Sequence, residues 1–487
     1  MSPGLKHDVI SSLFWRLVEQ GGRQFVQLLV QIILARLLAP DMFGTLAVAL
    51  VFVNLGNVIV TSGLNTALVQ SKEINKDDWH TVFWLCLGVG VGMFLVVTMA
   101  APLIASFYGQ PELKTVIRAL SLLFIINAYN SVQVAWLQRS LHFRPFARAT
   151  LLSVVVSGAF GVVVAAAGGG LWALVCQQIA YQCVNCLALS FSVPWKPRFR
   201  FSPTRARALY AFGWKLLVSS LLDTLYQNLA SLLIGKRFSS TDLGLFSQGQ
   251  KMPAAAGTML NGALRPVFLS AFSRVQDNPA QLKHIMRRSL KSVTFMLFPV
   301  MACLAVVAEP LVRMLMGEQW LPCVPYLQGM CVVYALLPVQ TTNLGAINAM
   351  SRSDVFLRLE VVKKAYGIVL LLGAVCVLKD MRAVIVAYIA DALLATCINA
   401  FPCKRLIGYS YLEQVRDIAP AAVLALACAL VAVPVGMLRL APPATMIAQI
   451  ALMLTLYLAL SRLLRMDSFT YIADTAIGLI TKEKRNG

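Results

Sequence analysis

Apolar residues dominate this chain in long stretches, and short polar connections separate them. About 20 consecutive apolar residues can cross the hydrocarbon core of a bilayer as a helix, which satisfies its own backbone groups. We count fourteen such stretches, at residues 11–38, 43–68, 82–106, 115–138, 149–167, 171–192, 209–235, 243–272, 289–316, 323–349, 358–378, 383–401, 418–438 and 444–464. The pattern predicts an all-α polytopic membrane protein with about 14 transmembrane helices and no large soluble domain.

The composition supports a membrane location. Of the 487 residues, 59% are hydrophobic and 13% are charged, and the mean hydropathy is +0.73. A soluble domain has about a quarter charged residues. The first ten residues lack a basic segment followed by a short apolar core and a small-residue cleavage site, so we expect no cleaved signal peptide.

The formal charge of +21 raises the alternative of a nucleic-acid partner, and its distribution argues against that. With the N-terminus in the cytoplasm, one set of alternate connections carries roughly 26 basic residues and the other roughly 7, as the positive-inside rule describes. We therefore predict that both termini are cytoplasmic. Membrane lipids, and not nucleic acid, are the expected partner of these charges.

The first apolar stretch carries a polar stripe. Its members are Arg16, Gln20, Arg23, Gln27 and Gln31, and Glu19 and Gln24 flank them. Most recur every three or four residues, so they share one face of a helix. Charges inside a membrane cost at least about 2.5–3.5 kcal/mol each, and they usually face a watery cavity. The alternative is that Arg16 extends to the cytoplasmic surface and that Glu19 pairs with Arg23.

Three further stretches, the second, seventh and eighth, show polar faces of the same kind. The residues that we propose as cavity-lining are Asn57, Thr61, Lys215, Asp223, Gln227, Lys251, Asn261 and Arg265. For the amides, the alternative is interhelical hydrogen bonding, worth about 0.6 kcal/mol each. Together with the first stretch, these faces predict one cavity in which cations outnumber acids and amides abound. Such a lining suits an anionic ligand that is rich in hydroxyl groups.

The chain repeats a pattern at an offset of 200 residues. "ARLLAPDMFG" at 35–44 matches "GKRFSSTDLG" at 235–244, and the polar faces of the first and seventh stretches coincide at the same offset. Parallel repeats of this kind build some transporters, with the substrate site between the halves. We predict two pseudo-symmetric six-helix lobes at 1–200 and 201–408. Residues 409–487 then form two additional transmembrane helices and a cytoplasmic tail.

Signatures of catalysis, metal binding and nucleotide binding are weak. Cys183 and Cys186 form a lone CxxC without a second pair, and the eleven cysteines are better explained as buried free thiols. "GLFSQGQK" at 244–251 lacks the Lys-Ser/Thr end of a phosphate loop. We predict neither an enzyme nor a cofactor or metal.

Four segments resemble bacterial polysaccharide transporters. They are "ARLLAPDMFG" at 35–44, "ALVQSKEI" at 67–74, "FLSAFSRVQDN" at 268–278 and "GEQWLPCVPYLQGMC" at 317–331. The chain is similar there to Wzx-type flippases of O-antigen and colanic acid repeat units, within the multidrug/oligosaccharidyl-lipid/polysaccharide (MOP) exporter superfamily. The resemblance extends from the first stretch to about residue 410. Its loose motifs identify the family better than the substrate.

The resemblance implies a V-shaped pair of six-helix lobes, as in multidrug antiporters of the superfamily, plus two C-terminal helices. It implies that alternating access carries undecaprenyl-pyrophosphate-linked oligosaccharide repeat units across the bacterial inner membrane. Colanic acid, capsule, exopolysaccharide and O-antigen (lipopolysaccharide) biosynthesis are the implied pathways, and polymerase or assembly proteins are possible partners. Three alternatives remain open: a peptidoglycan lipid-precursor flippase, a cation-coupled multidrug antiporter, and a membrane enzyme that builds glycans.

Two hypotheses concern the charged residues. Arg23 and Asp223 occupy equivalent repeat positions, so we expect them to pair across the empty cavity until substrate pyrophosphate competes for Arg23. Coupling to Na⁺ or H⁺ is left unassigned, and the candidate carboxylates are Glu19, Asp223, Glu360 and Asp391. For Glu360, the alternative is an ion pair with Lys363 or Lys364.

Overall fold

The structure is a computed structural model that describes residues 3–61, 65, 68–69, 75–140, 143–438 and 441–470. Side chains are described from residue 20 onward within these ranges, except at 76, 143, 208, 209, 212, 263–267 and 269. Two compact units divide the chain, Met1–Ser247 (the N-terminal unit) and Gln248–Gly487 (the C-terminal unit).

Helices account for nearly all of the described chain. In the N-terminal unit they are α1 Pro3–Leu37, α2 Pro40–Thr61, α3 Lys76–Tyr108, α4 Pro111–Leu120, α5 Leu122–Arg139, α6 Phe143–Ala166, α7 Leu171–Ser192 and α8 Pro203–Arg237. Helix α9, Ser240–Ser273, begins in the N-terminal unit and continues into the next. The C-terminal unit then contains α10 Pro279–Val306, α11 Ala308–Leu315, α12 Val324–Ala349, α13 Ser353–Leu372, α14 Met381–Ile407, α15 Tyr411–Ala432 and α16 Pro442–Leu463.

The predicted fold class is confirmed, with one difference in the count. Each of the fourteen apolar stretches overlaps one or two of these helices. Among the described residues, twelve segments are long and apolar enough to cross a membrane by themselves. Helices α1 and α9 do not qualify, although they are 35 and 34 residues long, because they carry the polar faces noted above. A membrane protein tolerates such helices where neighbouring protein covers their polar side.

Two of the apolar stretches each form two helices. The stretch at 115–138 divides between α4 and α5 at Ser121, which is fully buried and donates its hydroxyl to the carbonyl of Arg118 at 2.7 Å. The stretch at 289–316 divides between α10 and α11. The predicted lobe boundaries at 200 and 408 stay a prediction, because the division into two compact units does not show whether the two halves are built alike.

The repeated pattern brings two glycines together inside the N-terminal unit. A Cβ built on Gly44 of α2 would lie 1.8 Å from the carbonyl oxygen of Ser240, at the start of α9. A Cβ on Gly244 would lie 1.9 Å from the carbonyl oxygen of Pro40, at the start of α2. Pairs 40/240 and 44/244 are each 200 residues apart, so the two helix starts cross reciprocally. Only glycine permits this approach of two backbones.

A buried amide pair joins α15 to the core of the C-terminal unit. Asn343 Nδ2 of α12 donates to Gln414 Oε1 at 2.8 Å, and Gln414 Nε2 donates back to Asn343 Oδ1 at 3.0 Å. Both side chains are almost fully buried. The reciprocal bonds satisfy two amides that would otherwise be costly inside the protein.

Asp417 organises a charged cluster at the same end of α15. Its Oδ1 accepts from Arg287 of α10 at 2.7 Å and lies 3.5 Å from Lys291 Nζ. Its Oδ2 accepts from the hydroxyl of Tyr409 at 2.8 Å. Burial and this bond raise the pKa of Tyr409, so its hydroxyl stays a donor. Helix α15 is thereby fixed to α10 by polar contacts as well as by apolar packing, and the hydroxyl of Tyr457 on α16 donates to the carbonyl of Phe295 on α10 at 2.9 Å.

Candidate functional site

A small polar recess lies among α1, α6 and α7 of the N-terminal unit. It encloses about 90 Å³, and its lining residues are Arg23, Gln27, Val154, Ser157, Gln177, Gln178 and Tyr181. Arg23 and Gln27 are two of the predicted cavity residues, and both are half-buried. The structure therefore brings part of the polar stripe of α1 against a polar face of α7.

Close packing of α1 on α6 positions this recess. Gly158 of α6 faces Val30 of α1, where an added Cβ would lie 2.3 Å from the valine side chain. Gly22 of α1 faces Leu151 in the same way, at 2.9 Å. Gly22 and Gly158, one glycine on each helix, let the two approach closely, whereas a Cβ on Gly21 would meet nothing within 4 Å. Arg23 and Gln27, on the adjoining face of α1, then lie against α6 and α7.

The chemistry of the recess suits a small anion with hydroxyl neighbours. Arginine offers a planar fork of donors that matches phosphate oxygens, and its charge is permanent. Gln27, Gln177 and Gln178 can donate and accept, and the hydroxyls of Ser157 and Tyr181 can do the same. A water molecule takes up about 30 Å³, so the recess holds about three waters or one group of similar size.

Sequence reasoning missed the α7 wall of this recess. Gln177 and Tyr181 stand four residues apart, with Gln178 beside them, which is the helical spacing used to recognise the other polar faces. Their signal is weak because α7 carries no charge, and because Gln182 and Asn185 place further polar side chains around the same helix. The contribution of Ser157 has no comparable signal, since a lone serine is common in membrane helices.

Helix α8 carries the second polar stripe of the N-terminal unit. Lys215 and Gln227 are exposed, and Asp223 is half-buried. Only the last turns of α8 are well packed: Ala230 is 4% exposed and Ile234 is fully buried. Along the rest of α8, exposed polar and apolar side chains such as Lys215 and Leu222 alternate with half-buried ones such as Asp223.

Several predicted amides take part in hydrogen bonds between helices, the alternative left open above. Asn127 Nδ2 of α5 donates to Asn57 Oδ1 at 2.7 Å. Thr341 Oγ1 of α12 donates to Asn261 Oδ1 at 2.7 Å in the C-terminal unit. Thr61 donates its hydroxyl to the carbonyl of Asn57, one turn earlier. Contact of these residues with substrate stays a prediction.

The remaining predicted residues fall into two groups. Gln31 and Lys251 have half-buried side chains on α1 and α9. Arg16, Glu19 and Arg265 lie on described helices, but their side chains are outside the described residues.

The structure also bears on the acidic residues considered for coupling. Glu360 Oε1 accepts from Lys363 Nζ at 2.5 Å, so the ion-pair alternative describes Glu360. Asp391 of α14 is half-buried, and its main-chain carbonyl accepts from the hydroxyl of Tyr366 at 3.2 Å.

Solved structures with the same fold are transporters. The chain aligns with a structure titled "Lipid II flippase MurJ, inward closed conformation" with a TM-score of 0.73, over 93% of this chain and 99% of that one, at 11% identity. An inward-facing multidrug resistance MATE family transporter of the MOP superfamily aligns with a TM-score of 0.61, over 79% and 95%, at 15% identity. These likenesses establish the fold and not the substrate.

Curated relatives are named for glycan pathways. The succinoglycan biosynthesis transport protein ExoT of Rhizobium meliloti is 26% identical over 66% of this chain and 65% of its own length. The lipopolysaccharide biosynthesis protein WzxC of Escherichia coli is 26% identical over 74% and 73%. The teichuronic acid biosynthesis protein TuaB of Bacillus subtilis is 23% identical over 61% and 62%. The chain thus spans just under two thirds of the first and third relatives.

A sequence profile decides the family. The profile described as "Polysaccharide biosynthesis protein" matches residues 33–325, which is more than half of the chain. That range begins near the end of α1 and closes at the start of α12, so it takes in helices of both units. Family, fold and composition agree with one another. This chain is a multi-span membrane protein that belongs to the polysaccharide biosynthesis protein family.

Proposed function

We propose that this protein is a flippase that exports undecaprenyl-pyrophosphate-linked oligosaccharide repeat units across the bacterial inner membrane by alternating access. The substrate is a lipid-linked glycan and the pathway builds a cell-surface or secreted polysaccharide. The protein moves this substrate without chemical change, so it acts as a transporter and not as an enzyme. Both termini lie in the cytoplasm, as the basic connections indicate.

The observation that carries the proposal is the polar recess of Arg23 and Gln27 within a helical bundle of this family. An arginine inside a membrane helix is expensive unless it faces a cavity, a ligand or a partner group, and Arg23 lines the recess. Pyrophosphate is the part of the substrate that an arginine fork recognises, and the amides suit sugar hydroxyls. The polyprenyl tail needs no polar site, because it remains soluble in lipid.

The relatives support a glycan more strongly than a drug. Three of them are named for succinoglycan, lipopolysaccharide and teichuronic acid, which are chemically different polymers. The fold is shared with a lipid II flippase and with a multidrug transporter. Of those two alternatives, the lipid II flippase agrees better with a basic recess, because organic cations would favour an acidic one.

The test measures which leaflet holds the glycan. Cells depleted of the protein are converted to spheroplasts, and a lectin reports whether the undecaprenyl-linked oligosaccharide is accessible from outside. We expect the glycan to accumulate and to stay inaccessible until wild-type protein is restored. Unchanged accessibility after depletion would refute the flippase proposal. Rescue of a strain that lacks its lipid II flippase, or drug resistance on overexpression, would favour the respective alternative.

A matched pair of variants tests the recess. Gln27→Ala removes an amide that lines it, and Gln24→Ala removes a half-buried amide of the same helix that does not. We expect Arg23→Ala and Gln27→Ala to lower the rate at which the glycan becomes accessible, whereas Gln24→Ala leaves it close to wild type. Equal effects of the two glutamine variants, at equal membrane abundance, would remove the recess from the mechanism and leave the flippase proposal standing.

A further inference from the structure

A large cavity in the C-terminal unit is separate from every residue discussed so far as a substrate site. It encloses about 1120 Å³ between α10, α12, α15 and α16, with α11 at its edge. It lies at the ends of these helices opposite to the basic cluster of Lys283, Arg287 and Lys291, because α10 runs from that cluster toward α11.

The wall of this cavity is mostly apolar. Phe298, Met301, Leu426, Ala429 and Met437 are among its lining residues. Filling the cavity with water would require about 37 molecules at about 30 Å³ each, most of them against apolar side chains. Hydrocarbon chains from the surrounding bilayer can fill the same space without placing water against apolar side chains.

Two of its uncharged polar side chains donate hydrogen bonds to the protein's own backbone. Gln328 Nε2 donates to the carbonyl of Ala305 at 3.1 Å, and Gln449 Nε2 donates to the carbonyl of Ala432 at 3.3 Å. Both amide donors are therefore bonded to backbone carbonyls near the ends of α10 and α15. The two charged side chains of the lining, by contrast, interact with each other.

Glu309 and Arg313 form an ion pair on α11. Arg313 NH2 lies 3.1 Å from Glu309 Oε1, and the side chains are 42% and 62% exposed for Arg313 and Glu309 respectively. The adjoining face of α11 is buried through Ala308 and Val312, which holds the helix against the unit. A cation and an anion thus stand side by side at the edge of an apolar cavity.

We propose that this cavity is a binding site for an ammonium-bearing zwitterionic phospholipid, of the phosphatidylethanolamine type, from the leaflet that α11 faces. The acyl chains occupy the apolar interior. The phosphate is bound by Arg313, and the primary ammonium donates to Glu309. With the termini in the cytoplasm, this is the periplasmic leaflet.

Charge complementarity selects this occupant over the transported lipid. A pyrophosphate carries more than one negative charge, and Glu309 would repel it at the cavity edge. A single phosphate next to an ammonium reproduces the spacing of one cation beside one anion. An anionic phosphatidylglycerol satisfies Arg313 and leaves Glu309 without a cationic partner from the ligand.

The site is tested by lipid retention, which does not depend on transport. The purified full-length protein is delipidated in detergent and offered equal amounts of phosphatidylethanolamine and phosphatidylglycerol, and native mass spectrometry counts the bound lipids. We expect retention of phosphatidylethanolamine with a preference of about fivefold, the effect of one modest charge-assisted hydrogen bond. The Glu309→Gln variant should bring this preference close to unity.

Two variants on one helix separate cavity filling from general damage. Ala429→Trp places an indole in the cavity, whereas Ala427→Trp places it on an exposed face of α15 outside the lining. We expect Ala429→Trp to lose the bound lipid and Ala427→Trp to retain it, with both proteins eluting as the wild type does in size-exclusion chromatography.

Three results would overturn the proposal. They are equal retention of the two phospholipids by wild type, equal retention by the two tryptophan variants, and displacement of phosphatidylethanolamine by undecaprenyl phosphate. The last would assign the cavity to the isoprenoid chain. None of them bears on whether the protein is a flippase.

Discussion

Replacing Gly44 by alanine is expected to force apart the starts of α2 and α9. The new Cβ would lie 1.8 Å from the carbonyl oxygen of Ser240 and 2.6 Å from its carbon. Contacts of this kind in folded proteins stay above 3.0 Å, so the backbones must separate by about 1.2 Å. No side-chain rotation can relieve this clash, because both obstructing atoms belong to the main chain.

The cost should lie at the upper end of the range for overpacking. Inserting a methyl group into packed protein costs about 1–3 kcal/mol and occasionally more. At Gly88 of α3, by contrast, an added Cβ meets nothing within 4 Å. Alanine there should stabilise the helix by about 0.5–1 kcal/mol. We expect Gly44→Ala and Gly88→Ala to differ by about 4 kcal/mol in the free energy of unfolding.

The reciprocal contact makes a sharper statement about the double variant. Gly244→Ala clashes with the carbonyl oxygen of Pro40 at 1.9 Å, in the same crossing as Gly44. One separation of the two helices relieves both clashes. The double variant should therefore cost clearly less than the sum of the single variants, with an interaction energy of about 2–3 kcal/mol.

Thermal unfolding in one detergent measures these differences, with tryptophan fluorescence as the signal for wild type, both single variants, the double variant and Gly88→Ala. We expect lower midpoints for both single variants, and a double variant close to the worse of them. If Gly44→Ala and Gly88→Ala unfold at the same midpoint temperature, the two helix starts do not cross as closely as described. If the two losses add, the two contacts are independent and the reciprocal crossing is wrong.

Two further predictions concern charged residues. Asp417→Ala should destabilise the C-terminal unit by about 1–3 kcal/mol, because the buried Tyr409 hydroxyl loses its acceptor. Adding Tyr409→Phe should recover part of that loss in thermal unfolding, and no recovery would mean that the hydroxyl finds another partner. Exchanging Arg23 and Asp223 should restore part of the glycan accessibility that either single change (Arg23→Asp or Asp223→Arg) abolishes. An exchange that transports no better than the single changes would end the pairing hypothesis.

Helix placement was predictable because the bilayer imposes a length on every spanning segment. Each apolar stretch of about 20 residues was expected to be helical, and helices cover nearly all of the described residues in every stretch. What the pattern did not predict was where a stretch breaks. The segment of α4 and α5 is interrupted at Ser121, and a serine in an apolar window does not indicate such a break, since Ser131 and Ser153 make the same kind of hydroxyl bond within continuous helices.

The polar positions were harder to interpret than the apolar ones. Helical spacing identified the stripe on α1, and Arg23 and Gln27 do line a recess. The same spacing selected Asn57 and Asn261, which bond to neighbouring helices. Period alone cannot separate these cases, because a cavity and an interhelical bond both require a polar side chain on the inner face. Only the identity of the facing helix distinguishes them.

The reciprocal glycine contact strengthens the interpretation of the repeat. A match between 35–44 and 235–244 in sequence needs only a common local structure. The packing requires more: residue 44 faces the carbonyl of residue 240, and residue 244 faces the carbonyl of residue 40. When 200 is added to one residue of the first contact and subtracted from the other, the second contact results. A local two-fold axis between the two helix starts produces this relation.

The helices that precede these starts, α1 and α8, carry their polar stripes at the same offset. Their charged members, Arg23 and Asp223, are thus equivalent positions with opposite charge. A cation and an anion at related positions can form an ion pair in the absence of substrate, and an anionic ligand can then compete for the cation. The exchange of Arg23 and Asp223 described above tests this hypothesis directly.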